Sequence, residues 1–257
     1  MEATLTHKGR VVLVTGGGGG IGSEIVRQYA RQGAAVGVVD RSPEVANALV
    51  STLMAEGCKV HFAAADVASY ADCEAACRSV VAALGPVDTL INNAGISPKH
   101  AGLPSPIWQM EPAEWLQVMD VNLNSVFNFT RLLAPGMVQR RFGRIVSMSS
   151  VAGKAYLDIV AAHYSTTKAG LIGLTRHLAG ELGPHGITVN ALAPGRVDTP
   201  MVAGAPREAN EAVIAVTPLR RLGKPVEVAD ACLFLTSDQS SFITGQVIDV
   251  AGGWLMT

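Results

Sequence analysis

The stretch Arg10-Val-Val-Leu-Val-Thr-Gly-Gly-Gly-Gly-Gly-Ile-Gly22 decides the fold. Its first part is short, apolar and β-branched, which predicts a buried strand over 10–15. The apolar pattern from Ile21 to Gln32 predicts a helix that Gly33 ends. A glycine-rich stretch by itself can be only a flexible turn, so its place between a strand and a helix matters. There the backbone can approach a pyrophosphate, and the helix start offers free N–H groups and a partial positive charge.

The next predicted strand, 35–40, ends in the carboxylate of Asp40. A carboxylate at this point can accept both adenosine ribose hydroxyls and would repel a 2′-phosphate, which favours NAD over NADP. A helix cap or a turn is the alternative role for this aspartate. Arg41 follows directly and could pair with a 2′-phosphate, but the glycine loop contains no basic residue to help it. The sequence therefore predicts NAD, with NADP as the alternative.

Strand-length apolar segments alternate with helical patterns along the whole chain. Further strands are predicted over 60–65, 88–92, 143–149, 187–193 and 247–250, and helices over 42–56, 69–84, 112–139 and 162–182. This alternation predicts an α/β fold with a single doubly wound, Rossmann-type parallel sheet of about seven strands and helices on both faces. Without a linker or repeat, residues 1–257 are interpreted as one dinucleotide-binding and catalytic domain.

Two segments, 96–110 and 195–225, show no regular pattern. Both follow the carboxyl ends of predicted strands, where open α/β sheets bind their ligands. The second contains four prolines and a short helical pattern near 208–215, which predicts a mobile substrate lid. His100, Trp108 and Met201 lie in these segments and are candidates for the substrate entrance, with simple loop packing as the alternative.

Composition excludes several kinds of partner. The net charge is −1 and no basic patch is evident, so neither nucleic acid nor an anionic membrane is indicated. No apolar run reaches the roughly 18 residues of a membrane span, and the start of the chain has no apolar signal core. The 4 cysteines and 6 histidines show no metal-ligand spacing. We therefore expect a cytoplasmic protein with reduced thiols and no metal.

Tyr164 and Lys168 stand four positions apart in a predicted helix, so they share a face. A tyrosine is a poor acid or base at neutral pH. A nearby ammonium and a positive nicotinamide ring stabilise its phenolate and lower its pKa. The pair is thus a candidate for proton transfer, whereas in isolation it would indicate an exposed amphipathic helix.

The pair is not isolated. The chain also contains Asn92-Asn-Ala-Gly95, Asp120-Val-Asn-Leu-Asn124, Gly143-Arg-Ile-Val-Ser-Met-Ser-Ser150 and Pro194-Gly-Arg-Val-Asp-Thr199. With the glycine loop and in this order, the set resembles the short-chain dehydrogenase/reductase family in its NAD-preferring, one-domain form. The resemblance runs from about residue 8 to residue 254, and it looks nearest to the 3-oxoacyl-acyl-carrier-protein reductase-like subgroup.

The resemblance implies four catalytic roles. Tyr164 would be the general acid/base, Lys168 would hold the nicotinamide ribose, and Ser150 would polarise the carbonyl. Asn122 would anchor a water of the proton relay. It also implies a cofactor-binding set, which consists of the pyrophosphate loop with Gly16, Gly17, Gly18, Gly19 and Ile21, the adenosine-side residues Asp40, Asp66 and Val67, and Asn93, Tyr164, Lys168, Val197 and Thr199 on the nicotinamide side.

One departure concerns the spacing of Ser150 and Tyr164. They are 14 positions apart, one more than is common in the family. A one-residue insertion within 154–161 would absorb the difference if that segment is a loop. The departure therefore bears on the serine and, more strongly, on the shape of the substrate pocket.

The reaction implied is reversible hydride transfer between NAD(H) and a small carbonyl or secondary-alcohol substrate. The alternatives are a catabolic secondary-alcohol or polyol dehydrogenase and a non-catalytic regulator that senses NADH. The long helices around Asn122 and Tyr164 carry more apolar surface than one sheet face needs, which predicts a homotetramer; plain core packing is the alternative.

Overall fold

The strands of the chain lie side by side in one parallel sheet. The structure is a computed structural model that describes residues 7–203 and 206–257, and within them it has a seven-stranded sheet of order β3-β2-β1-β4-β5-β6-β7. Its strands are β1 (Val11–Thr15), β2 (Ala35–Asp40), β3 (Val60–Ala64), β4 (Thr89–Asn92), β5 (Gly143–Met148), β6 (Ile187–Pro194) and β7 (Val247–Val250). The predicted doubly wound sheet is confirmed.

Helices cover both faces of this sheet. They are α1 (Gly20–Arg31), α2 (Pro43–Ala55), α3 (Tyr70–Leu84), α4 (Pro112–Met119), α5 (Ser125–Arg140), α6 (Ala162–Leu182), α7 (Pro200–Ala203), α8 (Arg207–Val216) and α9 (Pro225–Thr236). Buried apolar residues of α1, α2 and α9 form one core with the sheet, and those of α3, α5 and α6 form a second. Because both faces are packed, the central strands are buried along their whole length, as in β1.

The sheet reverses its order between β1 and β4, and a crevice opens there. β1 pairs with β2 on one side and with β4 on the other, all in parallel. Chain segments that leave the two neighbouring strands therefore diverge to opposite faces, which is where open α/β sheets bind ligands. The carboxyl ends of all the strands meet along this edge.

One long helix predicted over 112–139 is divided in the structure. A π-helical turn, Asp120–Asn124, lies between α4 and α5. It brings the amide of Asn122 onto the backbone of Ile96, where both ends of the amide form hydrogen bonds. These tertiary hydrogen bonds compensate for the wider turn. The helical periodicity of 3.6 residues in the sequence does not reveal the π-helical turn.

Helix α9 was not predicted from the sequence. Its buried positions Val228, Ala229, Cys232 and Leu235 have the spacing of one helical face, and Pro225 stands in the first turn, so the signal was present. Helix α8 confirms the short helical pattern near 208–215. Residues 204–205 of the expected lid and residues 1–6 of the expected polar start lie outside the described residues.

A membrane-spanning helix would need a long apolar stretch. Within 7–203 and 206–257, none of the helices combines the length and the hydropathy required to cross a bilayer. The four cysteines, Cys58, Cys73, Cys77 and Cys232, are free thiols in the structure.

Candidate active site

A cavity of about 940 Å³ lies over the carboxyl edge of the sheet. Its walls come from the loop after β1, the ends of β2, β4 and β5, the start of α6 and residues 194–202. This volume is in the range of cofactor and small-molecule sites in proteins. The cavity joins most of the residues that the sequence singled out.

Two glycines allow the loop after β1 to close tightly. A Cβ on Gly16 (φ +62°) would come within 2.8 Å of the Cα of Ala94, and a Cβ on Gly22 would collide with the carbonyl oxygen of Gly16. Only glycine permits this approach between the loop, β4 and α1. The loop can then turn its backbone N–H groups toward the cavity at the start of α1.

The five glycines of this loop have different surroundings. Gly17 and Gly18 are buried beneath the loop, away from the cavity. Gly16, Gly19 and Ile21 line the cavity, and the space where a Cβ of Gly19 would stand is open. This open cradle beside a helix N-terminus fits a pyrophosphate. Gly20, which sequence reasoning missed, lines the cavity too, and its φ is +53°.

Asp40 has both a structural role and a place at the cavity. One carboxylate oxygen accepts a hydrogen bond from the N–H of Gly18 at 2.9 Å, and the other accepts one from the N–H of Ser42 at 3.0 Å. The side chain thereby holds the glycine loop against the end of β2. Arg41, Asp66 and Val67 line the same end of the cavity.

Asn93 connects the end of β4 to the glycine loop. Its side-chain N–H group donates to the carbonyl oxygens of Thr15 (3.1 Å) and Gly16 (2.9 Å). On the opposite wall, Val197 and Thr199 line the cavity, as the resemblance implies. The cofactor-side residues thus surround one continuous space, apart from the buried Gly17 and Gly18.

Tyr164 and Ser150 line the same cavity. Burial raises the pKa of Tyr164, and the interaction with the Ser150 side chain opposes this rise. The Ser150 hydroxyl oxygen also accepts the N–H of Ala152 at 3.1 Å. The extra residue between serine and tyrosine is accommodated in the irregular segment 154–161 that precedes α6. With the longer spacing, both residues still line the same cavity.

Lys168 lies one helical turn after Tyr164 and is only 3% exposed. Its ammonium donates to the carbonyl oxygen of Met148 at 2.6 Å and lies 5.4 Å from the centre of the Tyr164 ring. Burial lowers the pKa of Lys168 to about 8. The charge is thus placed where it can stabilise a phenolate.

The segment after β5 holds this lysine in place. Ser149 donates its hydroxyl hydrogen to the carbonyl oxygen of Lys168 at 2.8 Å. A Cβ on Gly153 would approach the Lys168 backbone to 2.6 Å, so glycine is needed for the contact. These two residues, which sequence reasoning did not assign, explain why Ser-Ser-Val-Ala-Gly stands at this point.

Asn122 acts on the site from behind the cavity wall. It is fully buried and is not among the lining residues. Its side-chain oxygen accepts the N–H of Ile96 at 2.8 Å, and its N–H group donates to the carbonyl oxygen of Ile96 at 2.9 Å. The residue therefore fixes the start of the segment that follows Gly95.

The entrance candidates separate into two groups. Met201 lines the cavity, whereas His100 and Trp108 do not. His100 pairs with Glu114 at 2.5 Å, and Trp108 is 80% exposed. Two basic residues that sequence reasoning missed, Lys99 and Arg196, line the cavity instead.

The crevice at the reversal of the parallel sheet has a half-buried tyrosine and a buried lysine in its wall. It therefore has the parts needed to bind a nicotinamide cofactor and move a proton. The fold and site together define a nicotinamide-dependent oxidoreductase that acts on a carbonyl or CH–OH group.

Comparisons with known proteins narrow this class. The family described as enoyl-(acyl carrier protein) reductase matches residues 16–255. A 3-oxoacyl-acyl-carrier-protein reductase of Thermotoga maritima is 39% identical over 96% of this chain and 98% of its own. An acetoacetyl-CoA reductase of Allochromatium vinosum is 40% identical over 96% of this chain and 99% of its own.

A solved structure agrees with these sequence relatives. A 3-oxoacyl-acyl-carrier-protein reductase with bound NAD from Brucella melitensis superposes with a TM-score of 0.92, at 47% identity, over 98% of this chain and 94% of that one. The chain belongs to the short-chain dehydrogenase/reductase family.

Proposed function

We propose that this chain catalyses reversible hydride transfer between NAD(H) and the carbonyl carbon of a small substrate, with Tyr164 as general acid and base. The observation that carries the proposal is that Ser150, Tyr164 and Lys168 line one cavity, with the Lys168 ammonium 5.4 Å from the centre of the Tyr164 ring. In reduction, Ser150 donates to the carbonyl oxygen and orients it, and Tyr164 gives that oxygen its proton.

The same residues support both directions. Burial raises the pKa of Tyr164, so the phenol keeps the proton that reduction requires. In oxidation the phenolate must form, and the Lys168 ammonium and the Ser150 hydroxyl stabilise it. The nicotinamide supplies or accepts the hydride when bound.

We propose that NAD is the preferred cofactor and NADP the poorer one. Asp40 lines the adenosine end of the cavity with its carboxylate, which attracts ribose hydroxyls and repels a 2′-phosphate. Arg41 beside it supports the alternative. The related reductase from Brucella melitensis was solved with NAD bound, which is consistent with the Asp40 interpretation.

The proposed substrates are 3-oxoacyl thioesters, as the names of the relatives suggest. The proposed acting unit is one domain over 1–257, with a lid formed by 195–225 around the cavity-lining Met201. The free cysteines support a reducing compartment, the cytoplasm. Exposed Leu116 on α4 and Phe127 on α5 support a homotetramer built through these helices and α6.

The test is the loss of 340 nm absorbance with acetoacetyl-CoA and either NADH or NADPH. Faster turnover with NADH is expected, since Asp40 would repel the 2′-phosphate. A clear preference for NADPH would indicate that Arg41 binds the 2′-phosphate and would overturn the cofactor proposal. If neither NADH nor NADPH supported turnover, thioesters would be ruled out as substrates. A panel of secondary alcohols and polyols would then be tested with NAD. NADH binding without turnover of any substrate would favour the regulator.

A further inference from the structure

Charge is divided unevenly along the cavity. Among the described lining residues the carboxylates are Asp40 and Asp66, and both lie at the adenosine end. Apart from Arg41 beside Asp40, the cationic side chains of this described lining are Lys99, Lys168 and Arg196, and no carboxylate of the lining accompanies these three. The part of the cavity around them is therefore electropositive, although the whole chain has a net charge of −1.

Arg196 has donors to spare. Its Nε donates to the side-chain oxygen of Asn210 in α8 at 2.9 Å, while its Nη2 is buried and lacks a hydrogen-bond partner in the described structure. Burial lowers the pKa of this guanidinium. A buried, unsatisfied N–H group of an arginine is costly. The Arg196 side chain lines the cavity, and a planar carboxylate is the partner that matches a guanidinium best.

Lys99 is the second cation. Its ammonium donates to the carbonyl oxygen of Ile159 at 2.8 Å, which uses one of three donors. Burial and the charge of Arg196 lower the pKa of Lys99, and both side chains line the cavity. Within the described residues, neither has a carboxylate partner at 4.0 Å or less. An anion between them would remove the repulsion and occupy the free donors.

We propose that Lys99 and Arg196 form an anion subsite that binds a carboxylate carried by the substrate itself, so that the enzyme acts on keto acids and hydroxy acids. The inference rests on the proposed hydride transfer and extends its substrates from 3-oxoacyl thioesters to free keto acids and hydroxy acids. The two side chains line the same cavity as Ser150 and Tyr164, and Lys99 is bonded to the segment between those two residues. This places the anion in the same cavity as the reacting carbonyl, whereas the phosphates of a thioester carrier are separated from that carbonyl by many bonds.

A structural role is the competing interpretation. Lys99 connects the segment after β4 to the one before α6, and Arg196 connects the end of β6 to α8. Loss of either connection would disturb the pocket for every substrate alike. Loss of an anion subsite would affect only substrates that carry the charge, so a charged and a neutral substrate of the same shape separate the two.

The experiment compares acetoacetate with its neutral methyl ester in the wild type, Lys99→Met and Arg196→Gln, with NADH at 340 nm. We expect each substitution to raise KM for acetoacetate about tenfold or more, as for a lost charge-assisted hydrogen bond. KM for the ester and kcat for both should change less than about threefold. Arg196→Lys should recover part of the loss. The exposed Lys59→Met and Arg176→Gln are controls and should change nothing.

Equal losses for the acid and the ester would overturn the proposal in favour of a structural role. To test a phosphate source, acetoacetyl-CoA is compared with the phosphate-free acetoacetyl-N-acetylcysteamine. A defect of the variants confined to the CoA thioester would assign the cations to phosphate and overturn the carboxylate.

A binding measurement separates the failure of this inference from failure of the proposed function. Acetoacetate should raise the melting temperature of the wild type without cofactor, and the ester should not. The shift should disappear in Arg196→Gln. If the wild type reduced neither compound, hydride transfer to such carbonyls would be wrong, and the thermal shift would still confirm or overturn the anion subsite.

Discussion

The charge of Lys168 supports catalysis but destabilises the fold. Its ammonium is buried, and among residues 7–203 and 206–257 it has no ion-pair partner; it is held by the carbonyl oxygen of Met148. Desolvation lowers its pKa from 10.5 to about 8. The folded protein therefore carries an unfavourable charge at neutral pH, at the place where a phenolate must be stabilised.

Replacing this lysine should stabilise the fold while it abolishes activity. Lys168→Met removes a desolvation cost of roughly 3 kcal/mol. It also leaves the Met148 carbonyl without its donor, which costs about 1 kcal/mol. We expect the free energy of unfolding at pH 7 to rise by about 1–2 kcal/mol, measured by urea denaturation.

The pH dependence of this gain has a definite sign. Between about pH 8 and pH 10.5 the unfolded lysine keeps a proton that the folded one has lost, so wild-type stability rises with pH there. The advantage of Lys168→Met should shrink over that window. The matched control is Lys154→Met, which breaks the 2.7 Å ion pair with Asp249 and should destabilise. A Lys168→Met protein less stable than wild type at pH 7 would contradict the desolvation argument.

At the scale of elements, the predicted strands agree with the observed ones to within one residue at either end. Short β-branched runs bounded by glycine, such as β1 and β2, depend on local pattern and on burial on both faces, which a sequence displays directly. The π-helical turn between α4 and α5 depends instead on hydrogen bonds to Ile96, a residue distant in the chain. No local periodicity could have predicted it.

The π-helical turn should depend on the Asn122 amide. Asn122→Leu leaves the part-buried N–H and C=O groups of Ile96 without their partners, at about 1–2 kcal/mol each. We expect the free energy of unfolding in urea to fall by about 2–4 kcal/mol, with an unchanged slope. Asn124→Leu is the control in the same turn; it is exposed and should cost less than about 1 kcal/mol. Equal effects of the two would contradict a specific role for Asn122.

At the scale of the whole molecule, the N-terminal segment is joined to the last helix through a buried histidine. His7 Nε2 lies 3.0 Å from the Thr236 hydroxyl of α9, and its ring meets the edge of Tyr29 in α1. Burial, with the nearby charge of Arg10, lowers the pKa of His7 to about 4. Between about pH 4 and pH 6.5, the His7 ring is therefore neutral in the folded protein and protonated in the unfolded chain.

This difference should make the protein sensitive to mild acid. Below pH 6.5 the unfolded state binds a proton that the folded state excludes, so stability should fall by about 1.5 kcal/mol between pH 6.5 and pH 5. His7→Gln should lose most of that slope in urea titrations, and the exposed His177→Gln should keep it. An unchanged slope in His7→Gln would show that another group is responsible.

The sequence predicted the core of the candidate site but not its substrate end. The glycine loop, Asp40, Ser150 and the Tyr164–Lys168 pair occur in motifs whose spacing is fixed by one strand end or one helix face. Lys99 and Arg196 come from irregular segments whose conformation follows from tertiary contacts, such as the bond to Ile159. Side chains that meet only through such loops leave no periodic signal.

The measurement that tests the central claim most directly is the turnover and NADH binding of Tyr164→Phe. The substitution removes the proton donor and leaves the ring and the cavity wall. We expect kcat/KM to fall by about 10²–10⁴-fold, while the Kd for NADH, read from its fluorescence, stays within about twofold of wild type. Tyr156→Phe is the matched control; that ring is 89% exposed in the segment before α6, and its activity should be normal. Near-normal turnover by Tyr164→Phe would contradict the assignment of Tyr164 as the catalytic acid and base.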